Sequence, residues 1–291
     1  MFDFRYHALS LVAVFLALAI GILLGVAIGD SGLVSSARQD IEESLRGDVK
    51  ASRAEAAELR AELERHEDYE RQTFPDLVAA RLAGERIGLL FLGDSDSGIV
   101  DEVRSAIEPA GADLLWVGAL REPPDVDGLA ERAVGTRYAA MSIDATLLEP
   151  FAERIGVQLV TGGRLVAAVR PELMRSFSGD LGMVDGVVVV RDPDRPEEDE
   201  EQEGTTDTLE NGIVRGMNRT DMPIVGVERL DTDPSQIEWY RDRGLASVDS
   251  IDQLSGRAAL VFALAGAAGA YGLKSSAEAL LPRVVGGVSR P

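Results

Sequence analysis

Residues 87–92 read IGLLFL, and residues 93–98, which follow directly, read GDSDSG. An apolar run that meets a polar turn bounded by glycines is typical of a buried strand that ends at a loop. Apolar residues then recur at helical spacing as far as Ile107, and residues 114–117 form a second apolar run. This strand–helix–strand order predicts a parallel sheet.

The same alternation continues along the rest of the chain. Further strands are predicted at 157–160, 187–190, 224–227 and 259–264. Helices are predicted at 145–154, 164–175, 208–217 and 236–243. Strands that alternate with helices predict an α/β fold, a doubly wound, mostly parallel sheet over residues 85–291.

Two loops of this domain are candidate ligand sites. Residues 93–98 follow the first strand, where such folds bind ligands, but they carry no phosphate-binding signature. Asp94 and Asp96 could hold a divalent cation, although a polar turn in which Asp96 or Ser97 caps the next helix is favoured. Residues 266–272 are rich in glycine and precede a predicted helix at 275–281, so close helix packing is favoured there over ligand binding.

An acidic segment interrupts the domain. Residues 194–203 hold seven carboxylates and one Arg. Because like charges repel one another, residues 192–206 are predicted to form a solvated loop.

The N-terminal part predicts a membrane anchor. After a short tail, residues 1–7, residues 8–29 read ALSLVAVFLALAIGILLGVAIG without a charge. A helix of that length spans about 33 Å, whereas the apolar region of a cleaved signal peptide normally has only about 7–15 residues. Gly21, Gly25 and Gly29 lie four residues apart, which favours close pairing of two such helices, although glycine is common in membrane helices.

Residues 33–82 predict a coiled-coil stalk that continues from the membrane helix. One seam repeats every seven residues at Leu45, Ser52, Leu59 and His66, and the other at Val49, Ala56 and Leu63. The alternative is one amphipathic helix that packs on its own globular domain. Our candidate oligomerisation residues, for a parallel homodimer or a higher oligomer, are Gly21, Gly25, Gly29, Leu45, Val49, Ala56, Leu59 and Leu63.

Composition argues against several function classes. The chain has 291 residues, a formal charge of −21, no Cys and two His. The negative charge opposes nucleic-acid binding, and the absence of Cys removes thiolate metal sites and Cys nucleophiles. His7 and His66 precede the α/β domain, so no Ser–His pair can be assembled there. We therefore predict a protein that is not an enzyme, with no catalytic, cofactor-binding or metal-ligating residues identified.

The opening MFDFRYHALSLVAVFLALAIGILLGVAIG, the Glu/Arg-rich helix after it and the late run GRAALVFALAGAAGAYG resemble the MctB-like copper transporter family of actinobacteria. Relatives of that family include the cell-division protein SteB. The resemblance implies a single-pass protein of the cell membrane whose N-terminus lies inside and whose α/β domain is extracytoplasmic, with outer-membrane placement as an alternative. The positive charges alone leave the sidedness open.

The resemblance also implies a function. We expect copper transport, copper efflux or envelope permeability, carried out by an oligomer, with copper implied by the resemblance only. Copper(I) prefers sulfur ligands, but the chain has no Cys and its methionines form no close cluster. The alternative is a non-enzymatic dimeric scaffold whose partners are the membrane and envelope or division proteins.

Overall fold

The computed structural model describes residues 4–29, 33–193 and 200–283, which form two compact units, Met1–Asp68 and Tyr69–Pro291. The first unit is built from helices. Helix α1 covers Phe4–Gly29 and helix α2 covers Leu33–Val78, so the last turns of α2 belong to the second unit.

Helix α1 is apolar apart from Arg5, His7 and Ser10 near its start. Among the described residues it is the one helix long and apolar enough to cross a membrane, over Arg5–Ala27, and none of that span is buried. Helix α2 is instead rich in Ala, Glu and Arg, which are strong helix formers.

The second unit is an α/β domain with a seven-stranded sheet. Its helices are α3 (Ser97–Ile107), α4 (Val126–Arg132), α5 (Leu148–Thr161), α6 (Arg164–Leu173), α7 (Glu200–Asn218), α8 (Ile237–Asp242) and α9 (Leu254–Leu264). Its strands are β1 (Arg86–Leu92), β2 (Asp113–Leu120), β3 (Met174–Gly179), β4 (Gly186–Arg191), β5 (Ile224–Val227), β6 (Ala246–Val248) and β7 (Ala270–Tyr271).

The strand order is β3-β2-β1-β4-β5-β6-β7. All neighbouring strands are parallel except β2 and β3, which pair antiparallel at one edge. Apolar clusters cover both faces of the sheet: α4 to α8 contribute to one, while α3, α9 and the end of α2 contribute to the other. The α/β, mostly parallel sheet predicted from the sequence is therefore confirmed.

The end of α2 belongs to the core of this domain. Phe74, Val78 and Leu82 are buried in the cluster that also contains α3 and α9. The apolar seams of the predicted stalk lie before this point, within the first unit.

Two predicted strands are wrong. Residues 157–160 lie in α5 and residues 259–264 lie in α9. Both are continuous apolar runs, and a fully buried helix shows no periodicity that separates it from a buried strand. The sequence reasoning also missed β3, β6 and β7, which are short or lie at a sheet edge.

Two other local predictions need correction. The helix predicted at 275–281 is absent, since those described residues form turns and one bridge between Tyr271 and Ala279. The acidic segment 192–206 is not a loop over its whole length, because α7 begins at Glu200. Residues 194–199 of that prediction lie outside the described residues.

Candidate functional site

The candidate site lies where the strand order changes direction. Strand β1 has β2 as its neighbour on one side and β4 on the other, so the chain leaves β1 in one direction and later returns to its opposite side. A doubly wound fold forms a crevice at this point, at the carboxyl ends of the strands, and binds its ligands there. A cleft of about 210 Å³ opens there, after the ends of β1, β4 and β5. Charged side chains dominate its lining: Asp94, Asp96, Arg191, Asp192, Glu228, Arg229 and Asp231.

Asp96 caps helix α3 at the floor of this cleft. Its Oδ1 accepts hydrogen bonds from the backbone N–H of Gly98 at 2.7 Å and of Ile99 at 3.4 Å. The polar, capped turn predicted for residues 93–98 is therefore confirmed. Asp96 consequently occupies the N–H groups that would hold the phosphate of a bound nucleotide.

Arg229 closes over the same helix end. Its Nη1 donates to Asp96 Oδ2 at 2.9 Å, and its Nε lies 3.2 Å and 3.1 Å from the two carboxylate oxygens of Glu102. The hydrogen bonds to Glu102 raise the pKa of Arg229 above its ordinary value. A Cβ on Gly98 would lie 2.2 Å from Arg229 Nη2, so a side chain at this position would displace the guanidinium.

A second set of contacts joins the ends of β5, β6 and β7. The Glu228 carboxylate is almost fully buried and accepts from Lys274 Nζ at 2.6 Å and from Ser235 Oγ at 2.7 Å. Lys274 Nζ also donates to the carbonyl of Thr232 at 2.7 Å. Asp249, which is fully buried, accepts from the backbone N–H of Lys274 at 3.0 Å. We call Glu228, Asp249 and Lys274 the carboxyl-edge clasp.

Arg191 and Tyr240 tie β4 to β5 beside the cleft. The Tyr240 hydroxyl accepts from the Arg191 backbone N–H at 2.9 Å and donates to the Val227 carbonyl at 3.1 Å. Burial raises the pKa of the Tyr240 phenol well above its ordinary value, which keeps this hydroxyl protonated as a donor. The Arg191 guanidinium lies 5.0 Å from the ring centre of Trp239.

These contacts define what the cleft can do. Asp96 and Glu102 share the single positive charge of Arg229, and Glu228 is paired with Lys274. Over the described ranges, no group of three or more His, Cys, Asp or Glu side chains is placed to hold a metal ion. The charges of the cleft thus join structural elements, and sequence reasoning missed Glu102, Arg229, Glu228 and Lys274 because these partners lie far apart along the chain.

The candidate oligomerisation residues lie on α1 and α2. A Cβ at Gly21 or Gly25 would meet nothing within 4 Å, and Gly29 is the last residue of α1. Four of the α2 candidates have side chains about half exposed: Leu45, Val49, Leu59 and Leu63. Ala56 is partly exposed. These faces are accessible in one copy of the chain, and pairing through them stays a prediction.

Glycines four residues apart do produce close helix packing elsewhere. A Cβ on Gly216 of α7 would lie 2.1 Å from the Glu153 carbonyl oxygen of α5, and one on Gly156 would lie 2.0 Å from the Ile213 carbonyl oxygen. Gly212 faces Ala152 in the same contact. The spacing of Gly212 and Gly216 is the signal that could have predicted this contact from the sequence.

Comparison with known proteins places most of the chain in one family. A family model described as "Copper transport outer membrane protein, MctB" matches residues 1–121 and 163–282. The unmatched interval, 122–162, contains α4 and α5. The comparison with curated proteins found no match for this chain, and the relation to SteB stays a prediction.

Proposed function

We propose, because this chain belongs to the MctB family of copper transport outer membrane proteins, that it is a membrane-anchored cell-envelope protein that handles copper as an oligomer. In this proposal the N-terminus lies inside the cell, and the α/β domain lies outside the cytoplasmic membrane. The protein is non-enzymatic and does not bind nucleic acid. The observation that carries the proposal is the family match over both the anchor and most of the α/β domain.

Helix α1 supports the membrane part of the proposal. Its apolar span, Arg5–Ala27, has 23 residues, which is long enough for the hydrocarbon core of a bilayer. Tyr6 is well exposed near the start of that span, where aromatic residues commonly lie at a membrane interface.

The need for an oligomer follows from copper chemistry and from geometry. One membrane helix cannot enclose a path for an ion, so a copper path would have to form between copies. Thioether ligands are scarce within one α/β domain, because Met141, Met174 and Met217 are buried in its core. Met183 is about half exposed and is thus the methionine most accessible to copper among those described.

A second candidate function is a dimeric scaffold for cell-division or cell-wall proteins. The carboxyl-end cleft favours it, since Asp96 and Arg229 fill the position at which an enzyme of this architecture would bind its ligand.

A deletion strain of the host separates these two functions. Copper handling predicts growth that is sensitive to copper, with altered cell-associated copper and normal cell shape. Scaffolding predicts altered septation or sensitivity to envelope stress at unchanged copper tolerance. Complementation with the full chain is the control, and a strain with neither phenotype would contradict both candidates.

A second experiment measures the affinity of the purified protein for copper. Purified full-length protein in detergent is titrated with Cu(I) against a colorimetric chelator, beside the variant Met183→Leu. The chain has no Cys, and Met141, Met174 and Met217 are buried, so we expect Cu(I) to bind with a dissociation constant in the micromolar range or weaker. Nanomolar binding that Met183→Leu weakens would instead show a copper site within the protein itself.

A further inference from the structure

The charged residues beside the apolar seams of α2 carry information about the partner. The two seams place Val49, Ala56 and Leu63 at heptad positions a, and Leu45, Ser52, Leu59 and His66 at positions d. The positions that flank the seams then separate by sign. Positions e hold Arg46, Arg53 and Arg60 and, at the end of the seam, Glu67, and positions g hold Asp48, Glu55 and Glu62.

This separation distinguishes the possible partners of the helix. In a parallel, in-register pair, each g residue faces the e residue five positions later on the other helix. Asp48 would meet Arg53 of the partner subunit, and Glu55 would meet Arg60 of the partner subunit, in both cases with opposite charge. Only Glu62 would meet a like charge, Glu67 of the partner subunit. An antiparallel pair would instead align acidic g with acidic g and basic e with basic e along the seam.

Within one copy of the chain, most of these charged side chains are free to pair with a second helix. Asp48, Arg53, Glu55 and Arg60 are exposed, and none forms an ion pair within the described parts of the chain. Arg46 is the exception, since its Nη2 lies 3.4 Å from Glu42 Oε2 on the same helix. The seam beside them is exposed as well, with Leu59 and Leu63 each at 59% of their full accessible surface.

We propose that α2 pairs with α2 of a second copy of this chain, in parallel and in register, through the seam from Leu45 to His66. Charge complementarity identifies the occupant of the seam, because a helix with basic e and acidic g positions matches itself in this one orientation. Val49 at a position a beside Leu45 at a position d is the combination that favours two strands over three or four, whereas Ala56 and Leu63 at the other positions a carry no β-branched preference.

Register is fixed by polar layers. Ser52 and His66 face their counterparts in the aligned pair, whereas a shift of one heptad places each against a leucine or leaves it uncovered. Such a shift also displaces one helix by about 10 Å along its axis. If both copies are anchored by α1 in one membrane, the two anchors would oppose such an axial displacement. This last point rests on the membrane anchorage proposed above. The arguments from the seam and from the charges do not depend on it.

The first test uses the absence of Cys in the chain. Ser52→Cys and His66→Cys are introduced separately at positions d of the full-length protein in membranes, each beside an outward-facing control, Ala51→Cys or Arg65→Cys. Under mild oxidation, both seam variants should form disulfide-linked dimers at least about tenfold faster than their controls. Equal rates would overturn the pairing. Dimers that form only when Leu45→Cys and Leu63→Cys are mixed would show antiparallel pairing, in which positions d face positions a, and would overturn the proposal.

A charge exchange tests the polarity independently. Glu55→Arg alone places two arginines together at each flank, and Arg60→Glu alone places two glutamates together. Each should slow cross-linking of the His66→Cys protein several-fold, and the double variant should restore it, because opposite charges then meet again. A double variant as slow as the single variants would contradict the assignment. The copper phenotype is scored separately, so failure of either proposal leaves the other result intact.

Discussion

Lys274 shows how much one side chain holds together at the carboxyl edge of the sheet. It bonds Glu228, which follows β5, and the carbonyl of Thr232, while its own backbone N–H bonds Asp249, which follows β6. Breaking a buried ion pair by removing one partner is strongly destabilising, because the remaining charge stays buried without compensation.

Lys274→Met should therefore lower the free energy of unfolding of the α/β domain by about 3–5 kcal/mol. The double variant Lys274→Met/Glu228→Gln should recover part of that loss, since it leaves no uncompensated carboxylate at Glu228. Chemical denaturation of the full chain in detergent, followed by Trp fluorescence, measures both. As a control, Arg241→Met removes the exposed pair with Glu238 and should change stability by at most about 1 kcal/mol. A similar small change for Lys274→Met would refute the role of the clasp.

At the scale of helices and strands, sequence pattern predicted some elements and missed others for physical reasons. Strands β1, β4 and β5 are short apolar runs bounded by turns, and they were predicted within a residue or two. Helix α9 was mistaken for a strand because burial on nearly every side removes the polar face that identifies a helix. The cap at Asp96 was predictable because it is local, whereas its bond to Arg229 depends on the fold.

The contact of α5 with α7 predicts that a glycine-to-alanine substitution in α7 destabilises or stabilises the domain according to the position of the glycine. Gly216→Ala should destabilise the domain by about 1–3 kcal/mol, because the new Cβ would lie 2.1 Å from the Glu153 carbonyl oxygen and the helices must separate. Gly204→Ala, in the same helix, meets nothing within 4 Å and should stabilise it by about 0.5–1 kcal/mol. Thermal unfolding followed by circular dichroism compares the two. Equal changes in the unfolding temperature, with the same sign for both variants, would show that α7 does not pack against α5 through Gly216.

At the scale of the whole molecule, the sequence divides its charge and hydropathy between an apolar helix, a charged helix and an α/β domain. The apolar helix α1 and the fold class were predictable because each depends on a long, continuous pattern. The clasp was not, because its three residues come from three segments that only the sheet brings together.

The proposed membrane anchoring by α1 is tested by introducing charged residues into its apolar span. Wild-type protein should remain in the membrane fraction after alkaline carbonate extraction, with an intact mass that includes residues 1–29. Leu16→Arg combined with Ile20→Arg should release it, because each arginine near the centre of a membrane helix costs about 3 kcal/mol. Tyr6→Arg, at the interface end, is the matched control and should stay bound. Release of the wild-type protein, or loss of its first residues, would exclude a membrane anchor.

The sequence contains two lysines, Lys50 on α2 and Lys274 in the clasp, and all its other basic residues are arginines. Lys50 is exposed, whereas the Lys274 side chain is 17% exposed and in contact with Glu228. An amine-reactive ester will therefore modify Lys50 continuously and Lys274 only when the clasp opens. Mass spectrometry of the two labelled peptides then reports the opening rate of the α/β domain against an internal reference, in intact cells and without an introduced probe.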